Sequence, residues 1–221
     1  MGTDDIFKKR REKNRARKAE TLEPRADSYL IVTEGEKTEP LYFEALARSV
    51  RERLGGRLDV PPIELSGEGR GTVSLVEEAS KIVSRSAVNY QHVWVVFDKD
   101  DFSNFDEAIE MARARGFHVA WSNQCFEYWL YLHFDFSDSA LDRSQWIDKL
   151  SELFKSRDIR SEGYQKNLDN LYDLVTQYGS FEFAKANAER IRRKYDANEP
   201  PSHCDPCTTV HELVAELRRL G

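Results

Sequence analysis

The chain has 221 residues, of which 40% are hydrophobic and 33% charged, and a formal net charge of −6. Its length predicts one domain with an appendage, because domains average roughly 150 residues. Its apolar runs are far shorter than the ~20 residues that cross a bilayer, and its first twenty residues are polar, unlike a signal peptide. These features exclude a membrane protein and predict a cytoplasmic one. Three cysteines (Cys125, Cys204, Cys207) do not make the disulfide framework of a small secreted protein.

The charge is concentrated at the N-terminus. Residues 1–20 contain eight Lys or Arg and four acidic residues, which leaves the remainder of the chain strongly acidic. We predict that residues 1–27 form a basic arm, disordered or helical, that contacts nucleic acid, because Lys and Arg displace the counterions of phosphates. The alternative is a solvated tail with no partner.

The first half of the chain alternates between strand and helix patterns. The segment "SYLIVT" (28–33) predicts a strand, and residues 38–54 predict a helix in which Thr38 is the cap and Pro40 lies in the first turn. Gly55-Gly56 ends that helix. "VPPIELS" (60–66) predicts a short strand, and its prolines exclude a central position in a sheet.

A second part of the same alternation runs to residue 123. Three alternating glycines, Gly67, Gly69 and Gly71, precede a helix at 73–87, and the uninterrupted apolar run "HVWVVFD" (92–98) is typical of a strand buried on both faces. A helix at Phe105–Arg115 and a strand at 117–123 follow. This order predicts an α/β fold with a mainly parallel sheet, in a core domain of residues 28–135.

The C-terminal part is predicted to be helical. Residues 125–134 form an apolar helix, and residues 136–221 are expected to pack on the core as a helical portion. The proline-containing segment 198–207 predicts a loop, and Thr208 or Thr209 caps the last helix at 209–220. The other predicted helices are Gln145–Lys155, Asn167–Gln177 and Phe181–Asp196.

Carboxylates follow two of the predicted buried strands. Glu34 comes one residue after the first strand, and Asp98 and Asp100 stand at the end of the third. Ligands of open α/β sheets bind outside the carboxyl ends of the strands, and residues two apart in an extended stretch point the same way. Carboxylates gathered there need a compensating cation, which for oxygen ligands is a hard divalent ion. The alternative is that the two aspartates only cap a turn.

Three segments together resemble one family: "VTEGEKTEPLYF", "VVFDKDDF" and "WSNQCFEYWLYLHF". A strand-end Glu with a D-x-D two strands later resembles the Toprim catalytic fold of topoisomerases, primases and OLD-type nucleases. The three segments in this order resemble the RloB family of bacterial defence proteins, over residues 28–221. The family pattern reads S-N-P-C-F-E where this chain has Gln124 in place of proline. A third Asp occurs in some Toprim sites; Asp101 is either this chain's version of it or only a neighbour of Asp100.

The resemblance implies a Toprim-type nuclease with Mg²⁺ or Mn²⁺ as cofactor. Glu34 would be the general acid/base or a metal ligand, and Asp98 and Asp100 would be metal ligands. Glu127 would be an additional carboxylate of the site, because a carboxylate within an apolar helix must be paired or face a site. The resemblance also implies a separately encoded AAA/ABC-type ATPase partner, as in AbiL-like abortive-infection systems, and leaves open a homo-oligomer.

Four further residues are candidates for binding substrate. Lys37 and Arg70 follow strands in glycine-containing turns, Asn123 ends the fourth strand, and Lys166 belongs to a Y-x-K element, with Tyr164, that resembles the family. For each, the alternative is structural: a solvated Lys, a flexible turn around Arg70, and an Asn that holds a backbone turn.

Histidines and cysteines near the C-terminus raise a second metal hypothesis. His203, Cys204, Cys207 and His211 offer four zinc ligands, but a tetrahedral site is awkward when two of them are adjacent. We expect no zinc there. His133, within the apolar segment, is expected to be a hydrogen-bonded core histidine.

The leading hypothesis is a metal-dependent phosphodiesterase that cuts nucleic acid, RNA such as tRNA or else DNA, as the effector of an anti-phage abortive-infection system. The alternative is a non-catalytic regulatory subunit that binds metal or nucleic acid and serves the ATPase. A topoisomerase or primase is disfavoured, because the chain has no evident strand-cleaving Tyr domain or zinc-binding primase module.

Overall fold

A computed structural model describes residues 28–54, 63–67 and 71–220 of the chain. The basic arm predicted for residues 1–27, the Gly55-Gly56 pair and Arg70 lie outside the described residues.

The described strands form one mixed sheet in the order β2-β1-β3-β4-β5. Strands β1 to β4 run parallel to one another, and β5 is antiparallel to β4. This arrangement confirms the predicted α/β fold with a mainly parallel sheet. The strands are Tyr29–Thr33 (β1), Ile63–Gly67 (β2), His92–Asp98 (β3), His118–Asn123 (β4) and Cys207–Thr208 (β5).

Helices cover both faces of this sheet. Within the described ranges, α2 and α3 contact each other and one face of the sheet. α1 and α8 also contact each other, and α1 packs on β2 while α8 packs on β4. The remaining helices, α4 to α7, pack around this second group. The eight described α-helices are Thr38–Arg53 (α1), Thr72–Arg85 (α2), Phe105–Ala114 (α3), Phe126–Leu132 (α4), Arg143–Ser156 (α5), Leu171–Tyr178 (α6), Phe181–Arg192 (α7) and Val210–Arg218 (α8).

The two strands that carry the acidic residues are central because their sequences can be buried on both faces. Every residue of β1 is buried, and so is every residue of β3 after His92. A strand with apolar side chains on both faces is stable only between two layers of helices. β2 lies at the edge of the sheet, as the prolines before it predicted.

Several boundaries differ from the prediction by a few residues, and two of these differences have a clear structural reason. The predicted loop 198–207 ends in the short strand β5, where Cys207 pairs with Asn123 and Thr208 with Ser122. The helix predicted from Asn167 begins only at Leu171, because Asn167 has a φ of 66°. Asparagine tolerates this left-handed conformation, which cannot continue into a helix.

The predicted cap of α1 was also wrong. Thr38 is the first residue of the helix rather than its cap, and the capping residue is Lys37, which makes no side-chain cap bond. The Thr38 hydroxyl instead accepts a hydrogen bond from the backbone N–H of Asn167 at 3.3 Å. Thr38 therefore ties the start of α1 to the loop before α6.

None of the described helices combines the length and the apolar character that crossing a membrane requires.

Candidate functional site

The strand order places the acidic residues at the point where the sheet reverses direction. From β1 the chain moves to β2 on one side, and then to β3 on the other side of β1. Ligands of doubly wound sheets bind at this switch point, outside the carboxyl ends of the strands. Glu34 follows β1 and Asp98 ends β3 at this edge. The Glu34 backbone N–H donates to the Val96 carbonyl at 2.9 Å, and the Asp98 N–H donates to Oε2 of Glu34 at 3.3 Å.

Asp98 and Asp100 are joined by one guanidinium group. Nη2 of Arg143 lies 3.1 Å from Oδ2 of Asp98, and Nη1 lies 2.9 Å from Oδ2 of Asp100. Asp98 is buried and also accepts the backbone N–H of Phe126, at 3.0 Å. Asp100 has a φ of 40°, so the chain turns there and the extended geometry assumed from the sequence is wrong. The two aspartates nevertheless meet at Arg143.

Glu127 lies at the start of α4 and is buried with two partners. The Tyr164 hydroxyl donates to its Oε1 at 3.0 Å, and Nζ of Lys166 lies 3.9 Å from the same oxygen. A buried carboxylate needs such partners, because burying it alone would cost several kcal/mol. The Y-x-K element thus supplies both groups that pair with Glu127.

Glu34, Asp98 and Glu127 open onto one cavity of about 410 Å³. Its walls carry five carboxyl groups and three cationic side chains. The carboxyl groups are Glu34, Glu36, Glu39, Asp98 and Glu127, and the cations are Lys37, Arg143 and Lys166. Polar and charged groups of both signs at the carboxyl edge of a sheet are suited to an anionic ligand that brings its own cation.

Burial dominates the electrostatics of the cavity. It raises the pKa of Glu34 to about 7, although the hydrogen bond from the Asp98 N–H and the charge of Arg143 oppose the rise. Burial also raises the pKa of Asp98 well above its usual range, and the neighbouring charge of Glu39 adds to this. The pKa of Glu39 is raised by burial and by Glu127. The cavity therefore contains more acidic groups than its own cations neutralise.

Three of the four predicted substrate-binding residues can be placed. Lys37 is exposed at the start of α1, and it and Lys166 line the cavity. Asn123 is fully buried elsewhere, and its amide donates to the carbonyls of Pro201 and Ser202 at 3.2 and 3.1 Å. These contacts match the alternative role of holding a turn. Arg70 lies outside the described residues.

Three charged residues of the cavity were not predicted as site residues: Glu36, Glu39 and Arg143. Glu39 stands in the first turn of α1, where an acidic residue is common because of the helix dipole and attracts no notice. Arg143 lies 45 positions after Asp98, and only the fold brings it to the aspartates. The one local signal is the sequence "LDRSQ", in which Asp142 caps α5 and so fixes where Arg143 begins the helix.

The donors of the site fit a divalent cation in their chemistry but not in their present arrangement. Among the described residues, no three His, Cys, Asp or Glu side chains are placed to hold a metal ion, and Arg143 occupies an oxygen of each aspartate. The chemistry fits Mg²⁺ or Mn²⁺, because every acidic donor is a carboxylate oxygen. Mg²⁺ usually takes only one or two protein carboxylates and completes its shell with water and phosphate. Metal ligation by Glu34, Asp98 and Asp100 thus stays a prediction.

The histidine and cysteine residues near the C-terminus have different surroundings, and Nδ1 of the buried His211 has no hydrogen-bond partner among the described residues. His203 pairs with Glu199 at 3.1 Å, and Cys204 and Cys207 are buried free thiols. His133 is buried, and its Nδ1 lies 3.1 Å from the Trp129 carbonyl. This contact is that of the hydrogen-bonded core histidine that was expected.

Comparison with known proteins gives one match. A family model described as RloB-like protein matches residues 29–217, a range that contains every residue of the cavity. The match confirms the family resemblance carried by the three sequence segments. No curated protein and no solved structure matches the chain.

Proposed function

The chain belongs to the RloB-like protein family, and on that premise we propose that it is a metal-dependent phosphodiesterase of the Toprim type that cuts nucleic acid. The observation that carries the proposal is the position of Glu34 and Asp98. They adjoin at the switch point of the sheet, with Asp100 beside them, on a cavity that also presents Lys37 and Lys166.

A divalent cation bound by Asp98 and Asp100, with or without Glu34, would offset charge on the scissile phosphate and lower the pKa of the attacking water. The protein's own cations would position the substrate. Lys37 is exposed at the start of α1 and Lys166 is exposed beside Glu127, so both can reach a phosphate oxygen that enters the cavity.

Glu34 is suited to proton transfer. Hydrolysis forms one P–O bond to water and breaks one to the leaving oxygen, so a proton must leave the water and another must reach the leaving group. An acid/base group works best with a pKa near the working pH. Burial brings the pKa of Glu34 to about 7. This value supports the general acid/base role, and the hydrogen bond from Tyr164 holds the neighbouring Glu127 side chain in place.

The biological context is proposed from the family alone. We propose RNA such as tRNA as the substrate, with DNA as the other candidate, and a role as effector in abortive infection beside an AAA/ABC-type ATPase. A homo-oligomer is compatible with this role.

A regulatory subunit without catalysis is the second candidate, and one observation favours it. Asp98 and Asp100 already share a counter-ion, Arg143, as aspartates in a purely structural ion pair would. In that case the protein would bind the ATPase or nucleic acid and cut nothing.

Cleavage assays on matched variants separate the two. Purified protein is incubated with tRNA, mRNA and DNA, with and without Mg²⁺ or Mn²⁺ and with the ATPase partner. We expect metal-dependent cleavage that Glu34→Gln abolishes, while Glu44→Gln, at an exposed carboxylate on α1, cleaves as the parent does. Cleavage by Glu34→Gln at the parent's rate would refute the assignment, and binding without cleavage in every condition would favour the regulatory subunit.

A further inference from the structure

Arg143 holds both aspartates of the site at once. Its two terminal nitrogens lie 3.1 Å from Asp98 and 2.9 Å from Asp100. Each carboxylate has a nitrogen of its own, an arrangement that the planar fork of a guanidinium provides and that lysine, with one nitrogen, does not. The side chain thus occupies oxygens that the proposed function gives to a divalent cation.

The backbone of Arg143 is anchored independently of this contact. Asp142 accepts the N–H of Gln145 at 2.9 Å, and the Gln145 side chain accepts the N–H of Asp142 at 3.0 Å. This capping box fixes the first turn of α5. The guanidinium can therefore leave the aspartates by rotation of its side chain while the helix stays in place.

The ion pair leaves Arg143 incompletely satisfied. Its Nε is buried and has no hydrogen-bond partner among the described residues. A buried donor without an acceptor loses its hydration and gains nothing in return. Paired with the aspartates, Arg143 therefore uses its two terminal nitrogens and leaves the Nε–H unused, so this position does not exhaust what the side chain can bind.

The charges of the cavity also favour exchange. Arg143 contacts Asp98 and Asp100, and its charge lowers the pKa of Glu34 and Asp98 against the effect of burial. It therefore acts as the counter-ion of these carboxylates. A divalent ion brings twice the charge to the same oxygens, and a guanidinium displaced by it would remain beside the cavity that it lines. Guanidinium groups bind phosphate with two parallel hydrogen bonds.

We propose that Arg143 is an internal counter-ion that gives up Asp98 and Asp100 when a divalent cation binds, and then binds a phosphate of the nucleic acid. The proposal rests on the proposed function and adds to it a competition between one side chain and the metal. Arg143 would keep the carboxylates compensated in the metal-free protein and would bind substrate in the loaded one.

The test compares metal affinity with cleavage in three variants. Arg143→Gln removes the charge, Arg143→Lys keeps it without the fork, and Lys155→Gln removes a charge from an exposed position at the far end of α5. Mn²⁺ affinity is measured by calorimetry, and melting temperatures without metal confirm that each variant is folded. If Arg143→Gln fails to fold, the comparison of Arg143→Lys with the parent carries the test.

Competition predicts that Arg143→Gln binds Mn²⁺ more tightly than the parent, by about tenfold or more, yet cleaves at least tenfold more slowly. A lysine ammonium lacks the planar fork and holds the two aspartates less firmly. Arg143→Lys therefore also binds Mn²⁺ more tightly and cleaves poorly, whereas Lys155→Gln equals the parent in both measurements. Unchanged or weaker Mn²⁺ binding by the Arg143 variants, with a parent that binds and cleaves, would overturn this inference alone. A parent that binds no divalent cation would overturn the proposed function with it.

Discussion

At the residue scale, the carboxyl groups of the cavity differ because their surroundings differ. Asp98 is buried and paired with Arg143, Glu127 is buried and paired with Tyr164, and Glu34 is half-buried beside a backbone N–H. Burial raises the pKa of Glu34 to about 7, although the charge of Arg143 opposes the rise. One cavity thereby contains acidic groups fixed by ion pairs and hydrogen bonds and one suited to exchange a proton.

The raised pKa of Glu34 predicts how stability depends on pH. The pKa of Glu34 is about 7 in the folded state, against its usual 4.5 in the unfolded state. Between these two values the folded protein keeps the proton that the unfolded chain has lost. The contribution of Glu34 to stability is therefore present below pH 4.5 and is lost as the pH rises through 7. In urea unfolding without metal, we expect the free energy of unfolding of Glu34→Gln, relative to that of the parent, to rise by on the order of 1–2 kcal/mol from pH 5 to pH 8. Partial exposure of Glu34 makes this smaller than the full effect.

Glu44→Gln, on the exposed face of α1, serves as the control and should show no such gain. A free-energy difference between Glu34→Gln and the parent that is equal at the two pH values would mean that Glu34 ionises like an exposed carboxylate.

At the element scale, the ends of strands and the first turns of helices position the residues of the site. β1 and β3 end in it, α1 and α4 begin at it, and α5 brings Arg143. Helices that start at a cavity need their first turns fixed if their side chains are to be positioned. α5 has the complete capping box between Asp142 and Gln145.

Removal of that cap should therefore destabilise the protein measurably. Asp142→Ala removes an acceptor for the Gln145 N–H, and we expect the melting temperature to fall by roughly 2–4 °C, as the loss of one helix cap does in a protein of this size. Asp142→Asn, which can still cap, should lose little. Asp148→Ala on the exposed face of the same helix should lose nothing. Equal melting temperatures for Asp142→Ala and Asp148→Ala would show that the capping box does not stabilise α5.

The elements that could be predicted from the sequence are those whose own pattern determines them. β1 and β3 are continuous apolar runs, and such runs form strands buried between helices. β5 has two residues, Cys207 and Thr208, which is too short for any periodicity, and it is a strand only because the edge of β4 is available. Glu34 and Asp98 could be found because strand ends are visible in the sequence. Arg143 could not, since its partners lie across the fold.

At the scale of the whole molecule, the topology explains why the site lies at one place. The order β2-β1-β3-β4 opens a crevice between β1 and β3, and α4 and α5, which follow Asp98 in the chain, contribute Glu127 and Arg143 to its walls.

The basic N-terminus predicts salt-dependent binding of nucleic acid. Deletion of residues 1–20 removes eight Lys or Arg. The slope of log affinity against log salt concentration should fall by roughly 0.7–0.9 for each of them that contacts a phosphate. Affinities for tRNA and single-stranded DNA are measured at several salt concentrations, and melting temperatures confirm that the shortened protein is folded. A slope equal to that of the full chain would show that this segment contacts no phosphate.

The most direct test of the central claim is the Mg²⁺-dependent shift in melting temperature, measured together with cleavage on the parent, Asp98→Asn and Asp100→Asn. Asn nearly preserves the shape of Asp and removes its charge, and any ligand of the native state raises its melting temperature. We predict a clear Mg²⁺ shift and cleavage in the parent, and a smaller shift with no cleavage in both variants, while Asp148→Asn behaves as the parent does. Cleavage that survives in Asp98→Asn, or a parent whose melting temperature ignores Mg²⁺, would contradict a metal-dependent active site at the ends of β1 and β3.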